Sequence, residues 1–368
     1  MSARRVVLAL LAAAALARCS STMPGDVTSD GRPFDYSSHA CRATLQQPAR
    51  DDVDVRYLGS GGASVGWRGN AILLGPFFSN PPLLANLFGR MRHDRARIAA
   101  HLRDVPPASV RAIVTGHSHY DHFGDVPVVA HDHAPNAEIY TNADGVAMLS
   151  GDPALHARAH AVAAGQPFDV HDADGRVVMR IHPIASEHAP QICRSHRWPC
   201  HVSNCHLQSP WSGTFEEEKL RDFCGGDAFA YVVDLLDGDT VHFRLYYNDA
   251  APDSGLGVPA MSDGIPFDVA ILCIASYHLV RGYPELVLAG THPRHVVISH
   301  YEDFFTKSED RWRFVPLLGG AGAKRFVTRM MATHSIADDL PSRKPVCGAA
   351  GAGWSMPIPG EQLLFAAR

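Results

Sequence analysis

Short apolar runs interrupted by glycine begin at Val53. Runs over 53–58, 64–67 and 71–74 are punctuated by Gly59, Gly61, Gly62 and Gly69, the pattern of strands joined by tight turns. Residues 83–104 carry Leu, Ile and Arg at helical spacing. A β-rich run over 110–115 follows and stops at Gly116. Helices are predicted over 144–150 and 153–164, and a strand over 177–184. Residues 189–227 show no period and concentrate Cys, His and Trp, so they read as an insertion. Strands resume over 229–234, 241–247, 269–274 and 295–299, with helices near 284–289 and 320–334. From Pro341 the chain is rich in Gly and Pro and reads as a C-terminal tail, 341–368. Strands predominate first and alternate with helices later, which predicts one layered α/β domain over 51–340.

The first fifty residues read differently. Arg4 and Arg5 precede an apolar run over 6–15, and Ala15-Leu16-Ala17 offers a small-x-small cleavage site. Residues 1–17 therefore read as a secretory signal peptide, too short to span a bilayer, and 18–50 as a linker or N-terminal arm. Leu16-Ala17-Arg18-Cys19 resembles a bacterial lipobox, with Arg18 where a small residue belongs. The expectation is export to a bacterial periplasm, with a lipid anchor on Cys19 as the alternative. Export makes disulfides the default for the eight cysteines. Cys193, Cys200, Cys205 and Cys224 are expected to pair among themselves, and Cys41 with Cys347. Cys273 lies in an apolar run and reads as a reduced core thiol.

Composition narrows the class. With 46% hydrophobic and 19% charged residues in 368, the chain is neither disordered nor collagen-like. A net charge of −5, from 33 basic and 38 acidic residues, argues against a nucleic-acid partner. The outlying count is 22 histidines. Imidazole is a common metal ligand and proton carrier, so their arrangement matters.

They are arranged. The run over 110–115 leads into Gly116-His117-Ser118-His119-Tyr120-Asp121-His122. Three histidines and an aspartate at a strand end form a donor set suited to zinc, and also to iron or manganese. A surface histidine patch is the bland alternative, but it does not account for this spacing after a buried strand.

His117-x-His119-x-Asp121-His122 resembles the signature of the metallo-β-lactamase fold superfamily. Gly61-Gly62-Ala63-Ser64-Val65 and the run over 71–78 are similar to its opening hairpins. The nearest likeness is to the branch of N-acyl-phosphatidylethanolamine phospholipase D and the ascorbate-6-phosphate lactonase-like proteins, although Gly75 stands where that branch has an Asp. The likeness covers roughly 53–305. It implies a four-layer αββα sandwich carrying a Cys/His-rich insertion. Carried onto this chain, its later ligands match His188 in Ala185-Ser186-Glu187-His188, Asp249 in Leu245-Tyr246-Tyr247-Asn248-Asp249, and His300 in Val296-Val297-Ile298-Ser299-His300. His182 is the rival to His188 but lies inside its strand.

The resemblance implies two zinc ions per chain. His117, His119 and His188 would hold one, Asp121, His122 and His300 the other, with Asp249 bridging. It implies a hydrolase using a hydroxide shared by the two ions, with Asp121 also a catalytic proton shuttle. The first expectation is a phosphodiester substrate, either lipid or phosphorylated metabolite. Lactone, ester or amide hydrolysis is the alternative. β-Lactam hydrolysis, a mononuclear-iron sulfur dioxygenase and a non-catalytic zinc-binding protein stand behind those. The partner is then a small molecule or lipid, with peripheral membrane association in view; oligomeric state is not legible.

Other residues carry weaker expectations. Tyr277 and His278 follow a core strand and read either as substrate-binding groups or as ordinary loop residues. His196, His201 and His206 interleave with cysteines, where disulfides compete with a zinc site. Trp198 and Trp211 could line a pocket or touch lipid. Arg90, Arg92, Arg95, Arg97 and Arg103 read as a solvated helix face, with a lid near anionic groups as the alternative. Phe77 and Phe78 read as core; His131, His133, His156, His160 and His171 read as surface.

Overall fold

The structure is a computed structural model. It describes residues 48–82, 85, 89–189, 205–207, 215, 219–253, 255–307, 314–315, 318–333 and 353–368. Fourteen strands are seen among these: β1 Asp52–Gly59, β2 Gly62–Trp67, β3 Asn70–Leu74, β4 Val110–Val114, β5 Glu138–Thr141, β6 Ala159–Ala161, β7 Phe168–His171, β8 Val177–Ser186, β9 Ala228–Asp237, β10 Thr240–Asn248, β11 Val269–Cys273, β12 His295–Ser299, β13 Trp354–Ser355 and β14 Gln362–Ala366. The helices used below are α1 Arg95–Leu102, α2 Tyr120–Phe123, α3 Ala143–Met148, α4 Pro153–His156, α5 Glu285–Thr291 and α6 Gly319–Thr333. The strands form two seven-stranded sheets, ordered β14-β1-β2-β3-β4-β5-β6 and β13-β12-β11-β10-β9-β8-β7.

Side-chain alternation builds four layers from these sheets. Val55, Val65, Ile72 and Val114 of the first sheet pack on Ile181, Tyr231, Phe243, Tyr247 and Ile271 of the second, forming the central core. The intervening residues face outward, as the period of two requires. Leu73, Ile113 and Ile139 meet Ile98 and Leu102 of α1. Tyr246, Leu272 and Ile298 meet Val287 and Leu288 of α5 and Phe326 and Met330 of α6. Helices, sheet, sheet and helices are the αββα sandwich expected from the sequence.

Two local expectations are corrected. The helical pattern over 83–104 includes α1, which Asp94 caps by accepting from Arg97 N. The helix expected over 153–164 stops after α4, and Ala159–Ala161 instead pairs in parallel with β5. Arg158 ends the helix by donating to the carbonyls of Ala130, Ala134 and Ala137, and the open edge of β5 outweighs local alanine propensity. The expected tail contributes β13 beside β12 and β14 antiparallel to β1, with Val55 opposite Leu363. It therefore extends both sheets. Strands β5 and β7, four residues each, escaped the sequence reading because alternation needs more length to register.

Glu361 leads into β14, buried, with Oε2 accepting from Ile358 N at 3.0 Å. Burial pushes its carboxyl up to about 8 from an ordinary 4.5. A raised carboxyl stabilises the fold fully below pH 4.5, and that contribution is lost as pH rises towards 8. Glu361→Gln is expected to melt on the order of a few degrees above wild type at pH 8 and level with it at pH 4.5. Parallel melting curves at the two pH values would refute this.

Cys273 is free and buried, as expected, and Cys205 pairs with Cys224. Cys19, Cys41, Cys193, Cys200, Cys347, His196, Trp198, His201, Trp211 and residues 1–17 lie outside the described residues. Among those described, no helix is long and apolar enough to cross a membrane.

Candidate metal centre

The candidate ligands sit where strands end. Strands β3, β4 and β5 run parallel, as do β10, β11 and β12. Chain leaving β4 carries His117 to His122, chain leaving β8 carries His188, chain leaving β10 carries Asp249, and chain leaving β12 carries His300. The end of β4 is pinned by its own polar groups. Thr115 donates to Thr141 Oγ1 at 2.8 Å, and Thr115 O accepts from the buried Tyr231 hydroxyl at 2.8 Å. Asn248 turns the chain after β10, its Oδ1 accepting from Ala250 N at 3.1 Å.

The seven side chains converge. Donor atoms of His117, His119 and His188 lie within 4.8 Å of one another, as do those of His117, Asp121 and His122. The rings of His119 and His188 are 4.8 Å apart, and those of His122 and His300 are 5.0 Å apart. Asp249 stands at the junction, with Oδ1 3.2 Å from His117 Nδ1 and Oδ2 3.5 Å from His122 Nδ1. Asp121 Oδ2 lies 3.7 Å from His122 Nε2 and 3.6 Å from His300 Nε2. All are buried except His188, which is half-buried.

Protonation states favour a cation. Burial holds the His122 imidazole down at about 3, and burial together with His117 and His119 keeps His188 well below its ordinary value. Burial pushes the two aspartates upward, but neighbouring histidines outweigh it: His122 and His300 for Asp121, His122 and His117 for Asp249. Both stay below the usual carboxylate range. Neutral imidazoles beside ionised carboxylates are what a metal needs. His188 Nδ1 donates to Ala189 O at 2.6 Å, which leaves Nε2 as the bare ligand nitrogen. His117 Nε2, both nitrogens of His122 and His300 Nδ1 are buried without hydrogen-bond partners. Several orphaned polar atoms in one place are costly unless something binds them, so the donor set fits a metal.

Two glycines make room. Gly116 N donates to Asp249 Oδ2 at 3.0 Å, and a Cβ at 116 would stand 2.6 Å from Asp249 Cγ. Gly75 has a positive φ, and a Cβ there would stand 2.8 Å from the Tyr247 hydroxyl. The space an Asp at 75 would take is thus held by Tyr247.

Tyr277 is buried. Its ring packs edge-on against Phe326, and its hydroxyl donates to Gly322 O at 2.9 Å, so it anchors α6. His278 is exposed beside it and edge-on to its ring, at 6.0 Å between centroids. His182 stays in β8, 3.3 Å from Asp234. Phe77 and Phe78 are core. His131 and His160 are exposed opposite Asp152 and Glu138.

Sequence reasoning missed the groups that brace the ligands. Ser118, between two ligands, donates its hydroxyl to Cys224 O at 2.7 Å and its N–H to Gly225 O at 3.0 Å. Asn142 donates to Gly225 O at 2.6 Å, while Asp144 takes Leu207 N and His206 Nδ1 at 2.6 and 2.8 Å. The disulfide-closed segment is thereby fastened to the ligand loop. Only the cysteine cluster signalled it. Cys224→Ser is expected to lower unfolding free energy by about 3 kcal/mol, the chain-entropy contribution of a loop of this order. Under reducing conditions wild type and variant should give the same denaturant melts, and equal stability of the two under oxidising conditions would contradict the pairing.

A buried cluster of histidines and aspartates at the strand ends of an αββα sandwich defines a candidate metal centre. Among solved structures, the chain is similar to a metallo hydrolase from the hyperthermophilic archaeon Ignicoccus hospitalis, at 17% identity over 85% of this chain and 98% of that one, with a TM-score of 0.48. It is also similar to an isothiocyanate hydrolase from Delia radicum gut bacteria, at 14% identity over 86% and 100%, TM-score 0.46. A metallo-β-lactamase fold protein from Bacillus subtilis matches at 13% identity over 68% and 86%, TM-score 0.38. No protein-family model matches the chain, and no curated protein does. The chemistry is therefore read from the site's own groups.

Proposed function

We propose that this chain is an exported, metal-dependent hydrolase that holds two zinc ions and cleaves a phosphodiester. One observation carries the reading. Five donors fall in two sets that share His117, and Asp249 and His300 adjoin them, with imidazole nitrogens left open and both carboxylates ionised. His117, His119 and His188 would hold one ion, and Asp121, His122 and His300 the second, with Asp249 between them. When bound, a cation pair lowers the pKa of water and neutralises charge on both the attacking and the leaving oxygen, which suits an anionic phosphodiester.

The chain's own groups do the rest. Asp249 is oriented by Gly116 N and stays ionised. Asp121 Oδ2 faces His122 and His300, so its carboxylate is placed to take a proton and return it to a departing oxygen. Export is supported by the basic-then-apolar start of the sequence and by the Cys205–Cys224 pair, which suits an oxidising compartment.

Zinc-loaded protein would be assayed with bis(4-nitrophenyl) phosphate, phospholipid diesters and acyl lactones in parallel. Turnover of a diester, abolished by chelation and restored by zinc, is expected. Turnover of lactones alone would move the reading to a carboxylic ester or lactone hydrolase.

A further inference from the structure

We propose that Tyr57 and Glu302 form a buried clamp that fixes His300 as a metal ligand, which makes both of them positioning residues. The inference rests on the metal-centre reading above. His300 follows β12 with a left-handed backbone, φ +55°, a conformation that costs a non-glycine residue free energy and persists only where surroundings impose it. The imposing contact is visible. His300 N donates to the Tyr57 hydroxyl oxygen at 2.9 Å, and that hydroxyl donates to Glu302 Oε2 at 2.6 Å. Glu302 Oε1 accepts from Ser60 N, and Gly61 N also faces the Tyr57 oxygen, at 3.4 Å.

One phenol and one carboxylate thus join two turns that are distant in sequence. The turn after β1 holds Ser60 at φ +48° and Gly61 at φ +78°; the turn after β12 holds His300. Tyr57, Ser60, Glu302 and His300 are all buried. A buried carboxylate is costly unless both oxygens are bonded, and here each has a donor from the first turn or the strand leading into it. The first turn also lies over the ligands. A Cβ at Gly61 would stand 3.3 Å from His300 Cδ2 and 3.4 Å from His122 Cε1. The clamp therefore acts on the Asp121–His122–His300 side of the site. His117 and His119 are placed by the chain leaving β4, and His188 by the chain leaving β8.

This asymmetry supplies the test. Zn2+ would be titrated into metal-free, full-length wild type, Tyr57→Phe and Glu302→Gln against a chromophoric chelator, with His300→Ala and His119→Ala as references. Circular dichroism would establish that each variant is folded. Both clamp variants are expected to keep one tight equivalent and to weaken the other by roughly ten- to a hundredfold, the range for lost support of a ligand. The weakened equivalent should be the one missing in His300→Ala. Wild-type binding of both equivalents in the clamp variants, with one lost in His300→Ala, would overturn the clamp and leave the metal reading intact. Loss of both equivalents together would also overturn it, because that is the signature of a general structural role. Wild-type binding in His300→Ala and His119→Ala would show that the metal reading has failed, and the clamp with it. Should Tyr57→Phe not fold, Glu302→Gln, which keeps the side-chain shape and one acceptor, decides alone.

Discussion

Adding one methyl group at position 116 is expected to strip the site of metal. Gly116→Ala puts a Cβ 2.6 Å from Asp249 Cγ, and the contact is with a carboxylate that has nowhere to go. Asp249 is buried, with Oδ2 held by Gly116 N and facing His122 Nδ1, and Oδ1 held by His117 Nδ1. To relieve the clash it must leave the one position that reaches both halves of the site. Overpacking of this kind usually costs 1–3 kcal/mol, so a folded protein with a displaced Asp249 is the expected product. Metal affinity and turnover should each fall by at least about a hundredfold, beyond what a lost supporting hydrogen bond costs. Metal content after dialysis and kcat on the same sample would check it; a metal-replete, active variant would show that Asp249 is not at the centre of the site.

The second large effect is expected from His119→Ala. It removes one imidazole from the His117–His119–His188 group, whose rings stand 4.7 to 4.8 Å apart. Three donors become two, and no other described side chain is placed in that group. Bound metal should fall towards one equivalent per chain, and turnover by at least about a hundredfold, without a large change in melting temperature. Elemental analysis and steady-state kinetics on the folded variant are the measurements. Wild-type turnover would remove His119 from the ligand set.

The fold was legible where patterns were long. The runs beginning at Val53 and Val269 named their strands because several residues alternated or stayed apolar together. Ala159–Ala161 became a strand through an open sheet edge, and Gln362–Ala366 through pairing with Asp52–Arg56, partners that no local window contains. The site divides the same way. His117, His119, Asp121 and His122 advertise themselves by spacing, whereas His188, Asp249 and His300 needed the family likeness. Tyr57 and Glu302 carry no motif, since their meaning lies in a contact across 245 positions of chain. For Tyr277 the sequence left two readings open, because a position after a core strand says where a residue is, not that its hydroxyl meets Gly322 O.

Metal stoichiometry tests the central claim most directly. The chain would be purified from a periplasmic extract without added metal and its metal content measured by elemental analysis. The account predicts about two zinc ions per chain, falling in His119→Ala and His300→Ala. A single iron, or no firmly held metal with wild-type values in both variants, would contradict it.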